Sequence, residues 1–323
     1  NDRDCDDNND DVFPFAKERF DSIDNDCDGS IDERSIQVAA SSESLGVNPA
    51  KVGPLPVSAT DLARGTRFAS TSGKGARCSE VSPCSARAAI EGARAGDVVF
   101  LRGGIYRLDR HLDLSAEGDA KNPITVESYP GELATFNGSD HEYGADIQLL
   151  ITGSYYAFRR IEIRNMPIYA GLWVSGYNNL IEGVHSHHNK GSGIQITNGG
   201  SFNVLRNCTV NDNSGVGFFD SRSANGGNAD GIAISSGDKN RVERCAAYRN
   251  SDDGIDTWQG TNTYVGYSIA AENGLGDGDG NGFKAGGTAP SRATLVEYSL
   301  AYRNKQNGFD VNAGVDVRFR YNT

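Results

Sequence analysis

The stretch RNSDDGIDTWQG, residues 249 to 260, sets Asp252, Asp253 and Asp256 within five positions. Three carboxylates so close repel one another unless something cationic sits among them. A fourth joins them from upstream, because Asp230 precedes Gly231 in NADGIAIS as Asp253 precedes Gly254 in NSDDGID. Three or four carboxylates, with carbonyls and water, would supply the roughly six to eight oxygen ligands that calcium prefers. Downstream, GDGDGNGFKAGG places Lys284 two positions past a glycine, as Asp256 stands two positions past Gly254. The pattern is a hard oxygen cage beside a lone amine. Lys284 has a plainer reading as well, a surface cation that Asp256 and Asp310 hold protonated.

The elements that would position these groups are legible as a repeat. NLIEGVHSHHNKGSGIQI from residue 179, NVLRNCTVNDNSGVGFFD from 203, NRVERCAAYRNSDDGIDT from 240 and TLVEYSLAYRNKQNGFDV from 294 align. Asn189, Asn213, Asn250 and Asn304 then share a column, each followed four residues later by a glycine, and Asn165 and Asn273 extend it. The spacings are 24, 24, 37, 23 and 31 residues, which is one coil each with insertions in the third and fifth intervals. Short strands and Asn/Gly turns at this period predict an all-β chain folded as a right-handed parallel β-helix. A column of Asn can form a hydrogen-bonded ladder along such a stack.

Strand periodicity assigns directions. Ile194, Phe218, Ile255, Phe283 and Phe309, after the glycines, point inward, and Gln195, Phe219, Asp256, Lys284 and Asp310 point outward. Ile181, Leu205, Val242, Val265 and Val296 form a second inward stack. Asp230 and Asp253 then stack on adjacent coils, with Asp252 flanking them and Lys284 one coil beyond Asp256. An N-terminal helix from about Ser85 to Ala95, followed by a strand from Val98 to Leu101, is expected to cap the open end of the stack.

His185, His187 and His188 share one coil, where alternating strand exposure reads as surface or ladder histidines rather than a site. Arg249, Glu272 and Arg303 read as a surface charge ladder. Tyr248, Tyr302 and Trp258 could line a sugar-binding groove, though the two tyrosines also share a column. GDGDGNG could bind a second cation or form a loop.

Residues 1–33 form a separate Asp-rich module: Asp2, Asp4 and Asp6 around Cys5 recur as Asp24, Asp26 and Asp28 around Cys27. The second copy reproduces the first nine positions of an EF-hand calcium loop, with Gly29 at the sharp turn and Asp32 at position nine. It departs at position twelve, where Ser35 stands instead of Glu. A solvated acidic tail without metal is the alternative. Residues 34–60 read as linker, and residues 61–323 as the β-helix domain.

The net charge of −12 argues against nucleic acid or an anionic membrane surface as partner, since either needs a concentrated basic face. No run of about 18 apolar residues is present to span a bilayer. The chain starts at Asn1 with no initiator Met or signal peptide, as expected of a mature or trimmed form, and the strand-like VRFRYNT at its end suggests further coils. Six cysteines fall into local pairs, Cys5 with Cys27, Cys78 with Cys84 and Cys208 with Cys245, which suits an exported protein. For Cys208 and Cys245, on neighbouring coils, a disulfide and two buried thiols fit equally well.

The N-terminal segment resembles the Asp-rich metal-binding repeat of exported bacterial proteins. ADGIA, NSDDGID and GNGFKAGG, in that order on a parallel β-helix, resemble polysaccharide lyase family nine from about residue 65 to the end. The resemblance implies a secreted bacterial enzyme acting on an acidic polysaccharide, and the chain is expected to be a monomer. It implies calcium on Asp230, Asp252, Asp253 and Asp256, and Lys284 as Brønsted base in β-elimination from polygalacturonate or a related polyuronate. A lyase for alginate or a glycosaminoglycan-like chain, a β-helix hydrolase, and a calcium-stabilised adhesin that binds polysaccharide without cutting it are the competing readings.

Overall fold

The computed structural model describes residues 66–323 apart from 141–144, 216–225 and 290. The Asp-rich segment 1–33 with its Cys5 and Cys27, the linker 34–60, and Phe218 and Phe219 lie outside these residues. Among the described residues the strands form three parallel sheets, one of ten strands and two of eight. One coil runs through Leu180–Glu182 in the first sheet, His185–His187 in the second and Ser192–Ile196 in the third. Each strand pairs in register with its counterpart one coil before and one coil after, which is the right-handed parallel β-helix that the repeat predicts.

The cap is shorter than expected. The helix spans Ala86–Glu91, with the Ser85 hydroxyl accepting from the Ala88 amide at its start, and Gly92 closes it. Arg94 to Asp97 then forms a turn of its own, with the Asp97 amide on the Arg94 carbonyl and the Arg94 amide on the Asp97 carboxylate. That local alternative ends the helix before Ala95. Ala86, Ala89 and Ile90 are buried, and a Cys78–Cys84 disulfide closes the loop just before the helix.

Inside the coils the inward stacks are continuous. Ile181, Leu205, Val242, Val265 and Val296 are in register and fully buried. In the third sheet the inward column runs Ile194, Ile232, Ile255, Phe283, Phe309. Ile232 and Ala233 therefore hold the places expected for Phe218 and Phe219, because the chain takes its strand from after the insertion. The Phe283 and Phe309 rings lie parallel, 5.0 Å apart.

The Asn column is a ladder: side-chain amides link Asn189 to Asn213, Asn213 to Asn250, Asn250 to Asn273 and Asn273 to Asn304 at 2.8 to 3.0 Å. Asn165 is not its first rung. The register pairs Arg164 with His187, so Met166 occupies that place and donates its amide to Asn189 Oδ1 at 3.0 Å. Asn165 instead sits at the preceding left-handed position, with φ of 56°. A second ladder, Asn179, Asn203 and Asn240, lies at another corner with all three side chains buried, outside the Asn-to-Gly signature.

Asn250→Ala would strip partners from buried groups on both neighbouring coils, each unsatisfied group costing roughly 1–3 kcal/mol. A loss of about 2–3 kcal/mol is expected in denaturant unfolding. An unchanged midpoint would show that the ladder does not stabilise the stack.

Other columns are corrected in detail. Ala271 lies between Tyr248 and Tyr302, so these tyrosines do not stack on each other. Arg249 pairs with Asp212 at 2.5 Å and Arg303 with Glu272 at 3.7 Å, so the charges form two separate pairs rather than one ladder. Cys208 and Cys245 are free thiols, both buried, with the Cys208 amide 3.4 Å from Cys245 Sγ.

Candidate functional site

Asp230 and Asp253 stand at the corner between the second and third sheets, each just before a glycine. The Gly231 amide donates to the Asp253 carbonyl, and Gly254 repeats the contact with Asn281 one coil on. At Gly254 a Cβ would lie 2.6 Å from the Gly282 carbonyl oxygen and 2.7 Å from Asn273 Nδ2, so close stacking of the coils requires glycine here. The outward column of the third sheet runs Gln195, Ala233, Asp256, Lys284, Asp310. Sheet register thus places Asp256 beside Lys284, and the corner places Asp230 and Asp253 next to both.

Asp230, Asp253 and Asp256 are buried and offer oxygens that all lie within 4.8 Å of one another. Asp253 is the most constrained. Its Oδ1 accepts from the Asn281 amide at 2.6 Å and from Asn281 Nδ2 at 3.0 Å, and its Oδ2 from Lys284 Nζ at 2.9 Å. Asp256 Oδ2 is 3.7 Å from the same ammonium, whereas its Oδ1 is buried with no hydrogen-bond partner. A buried, orphaned carboxylate oxygen beside two more carboxylates fits a hard divalent cation, which takes oxygen donors and cancels their repulsion.

Asp252 lines the same cleft without joining that close trio. It is buried against the loop, where its Oδ1 accepts the Asp279 amide at 2.7 Å. Asp310 is in register with Lys284 but accepts from Asn307 Nδ2 instead. The further carboxylate on Lys284 is Asp279, at 3.1 Å. Asp279 comes from GDGDGNG, so that segment folds back over the site and reaches both Asp252 and Lys284. Its role is invisible in the repeat, since it belongs to an insertion with no counterpart on other coils.

Electrostatics follow from this crowding. Burial, then the charge of Asp252, pushes the Asp230 carboxyl well above the usual range. Burial raises Asp256 as well, with Lys284 opposing and Asp253 adding to the rise. Asp252 is pushed up to about 7 by burial and by Asp253. Burial works to lower Lys284, but Asp256 and Asp253 outweigh it and raise the ammonium above its ordinary value. Lys284 is the counter-ion to these carboxylates.

These groups open into a cleft of about 640 Å³, also lined by Tyr169, Lys190, Gln195 and Trp258. Lys284 Nζ lies 5.9 Å from the Trp258 ring centroid.

Residues 68–322 match the family described as Pel9A-like, right handed beta helix region. Residues 4–33 match a motif described as metal-binding. Pectate lyase L of Dickeya chrysanthemi is 32% identical over 250 residues, covering 72% of this chain and 57% of that protein. Pectate lyase L of Paenibacillus polymyxa is 28% identical over 253 residues, covering 70% and 55%. The chain thus spans little more than half the length of these curated relatives. Among solved structures, pectate lyase Pel9A superposes with a TM-score of 0.69 at 28% identity, over 80% of this chain and 69% of that one. A rhamnogalacturonan lyase shares the fold, with a TM-score of 0.68 at 23% identity over 79% and 73%.

Proposed function

The chain belongs to the Pel9A-like right-handed β-helix family, and on that premise we propose that it is an exported, calcium-dependent polysaccharide lyase that cleaves polygalacturonate or a related polyuronate by β-elimination. The observation that carries this reading is the amine of Lys284 at the floor of the cleft, 2.9 Å from Asp253 and 3.7 Å from Asp256. A base and an anion-binding cation are what elimination next to a uronate carboxylate requires. The Cys78–Cys84 disulfide supports export to an oxidising compartment.

Asp230, Asp253 and Asp256 would hold calcium, with Asp252 at the edge. Bound calcium would supply positive charge for the uronate carboxylate and would offset the negative charge of Asp253 and Asp256 beside the lysine. Lys284 Nζ is then the group placed to take the proton from the carbon next to that carboxylate. It must be neutral to do so, and an ordinary lysine, with a pKa of about 10.4, is rarely neutral near pH 7. An alkaline activity profile follows. Asp279, 3.1 Å from Nζ, helps to orient the amine, and the Trp258 face offers a surface for a sugar ring.

The test is ultraviolet absorbance of unsaturated products from polygalacturonate at mildly alkaline pH, with calcium and then with a chelator. Growth that the chelator stops is expected. Absorbance indifferent to the chelator would remove calcium from the mechanism, and cleavage with no unsaturated product would indicate a hydrolase. No turnover on any uronate polymer would favour an adhesin.

Stability gives an independent readout. A carboxyl whose folded pKa exceeds its unfolded value stabilises the fold below the unfolded value, and that contribution is lost as pH rises through the folded one. Asp230, Asp252 and Asp256 are all of this kind. The rise in melting temperature on adding calcium is therefore expected to be small near pH 4 and to grow through and beyond pH 7. Scanning calorimetry would check it, and a calcium effect independent of pH would contradict the assignment.

A further inference from the structure

Around the corner from the cleft, on the second sheet, a different set of donors converges. His185 and His187 are two apart on the strand His185–His187, so both point outward on one face. Glu162 lies directly opposite His185 on the strand one coil before. Each of the three offers a donor atom, and these all lie within 4.8 Å of one another. None of them belongs to the carboxylate site, whose residues come from the corner before the third sheet and from that sheet.

We propose that Glu162, His185 and His187 form a second metal site, built for a transition-metal ion such as zinc rather than for calcium. Two imidazoles and one carboxylate are a donor set that zinc accepts with a fourth position left open, whereas calcium prefers oxygen alone. Zinc at about 2.0–2.2 Å from each donor would set the donor atoms roughly 3.3 Å apart. His187 Nε2 and Glu162 Oε1 are already 2.9 Å apart; the His185 and His187 rings are stacked, with centroids 4.2 Å apart, so the His185 ring must turn to aim its lone pair at the same ion.

The donors are held from behind, as metal ligands generally are. The Thr135 hydroxyl bonds Glu162 Oε2, leaving Oε1 on the His187 side. His187 Nδ1 meets His188 Nδ1 at 2.7 Å, a contact that needs one proton between the two nitrogens. With that proton on His187 Nδ1, its Nε2 carries the lone pair. Asn211 Nδ2 donates to Asp212, so its Oδ1 takes the proton of His185 Nε2 at 2.8 Å, which leaves the lone pair of that ring on Nδ1. Arg164, across from His187, adds positive charge beside the site, so binding rests on the preference of the ion for imidazole rather than on excess negative charge. A bound ion would clip two successive coils together.

The experiment uses the full chain with calcium in excess, so that hard-oxygen sites are filled, and counts zinc by equilibrium dialysis. Wild type is expected to bind one equivalent more than His187→Gln and Glu162→Gln, both of which leave the N-terminal Asp-rich segment untouched. Zinc should raise the melting temperature of wild type by more than that of either variant, and cobalt(II) should give visible absorption bands that the variants lack. Equal zinc stoichiometry in variants with native circular dichroism would overturn the proposal. Should the variants fail to fold, anomalous scattering at the zinc edge from zinc-soaked wild-type crystals decides: a peak among the three side chains supports the site, and none there refutes it.

Discussion

Lys284→Arg is expected to lower kcat on polygalacturonate by about 10²–10⁴-fold, the range associated with loss of a positioned general base. Arginine keeps the positive charge that Asp253, Asp256 and Asp279 surround. Its guanidinium does not deprotonate in proteins, so it cannot accept the substrate proton. Calcium affinity and melting temperature should therefore stay near wild type while turnover disappears. Lys284→Ala should remove turnover too and leave calcium binding largely intact, because the carboxylates that would hold the ion remain. Rates from product absorbance and calcium titration by calorimetry would check both variants. A Lys284→Arg enzyme that retains more than about a tenth of wild-type kcat would place the base elsewhere.

Asp253→Ala should do more damage, to the fold as well as to the reaction. The Asp253 side chain is fully buried and accepts from the Asn281 amide, Asn281 Nδ2 and Lys284 Nζ. Removing one partner of a buried ion pair typically costs about 3–5 kcal/mol, since the other is left without its counter-charge. Here Asp256 and Asp279 remain near the ammonium, so about 3 kcal/mol is expected in denaturant unfolding without calcium. Asp253→Asn separates the two effects: the amide can still accept from Asn281, but the charge for a cation is gone. It should bind calcium at least about 10-fold more weakly than wild type and turn over correspondingly slowly, a 10-fold change being about 1.4 kcal/mol. Asp252→Asn, outside the close trio, should weaken calcium less than Asp253→Asn does. The reverse order would move the centre of the site toward the loop.

Much of this was legible along the chain because a parallel stack converts a sequence column into a spatial one. Equivalent positions on successive coils sit one strand spacing apart, about 4.8 Å, so aligning the Asn and Gly columns already places Asp256 beside Lys284 and Asp253 after Asp230. The same logic identified the inward stack from Ile181 to Val296. It slipped where coil length changed. Asn165 aligns with the ladder column, but the coil there is one residue shorter and brings Met166 to the rung. Phe218 and Phe219 align with the strand columns, but the strand that pairs there is Ile232–Ile234.

The composition and the repeat by themselves determined an acidic all-β stack with a carboxylate corner and an amine beside it. Only the tertiary structure decided which groups meet. Asp279 reaches Lys284 from an insertion, Asp252 accepts from that loop, and Glu162 meets His185 and His187. Backbone register is set by a period that the sequence repeats. The path of an insertion and the rotamer of a side chain depend on neighbours that appear in no column, so they form only once the coils have packed.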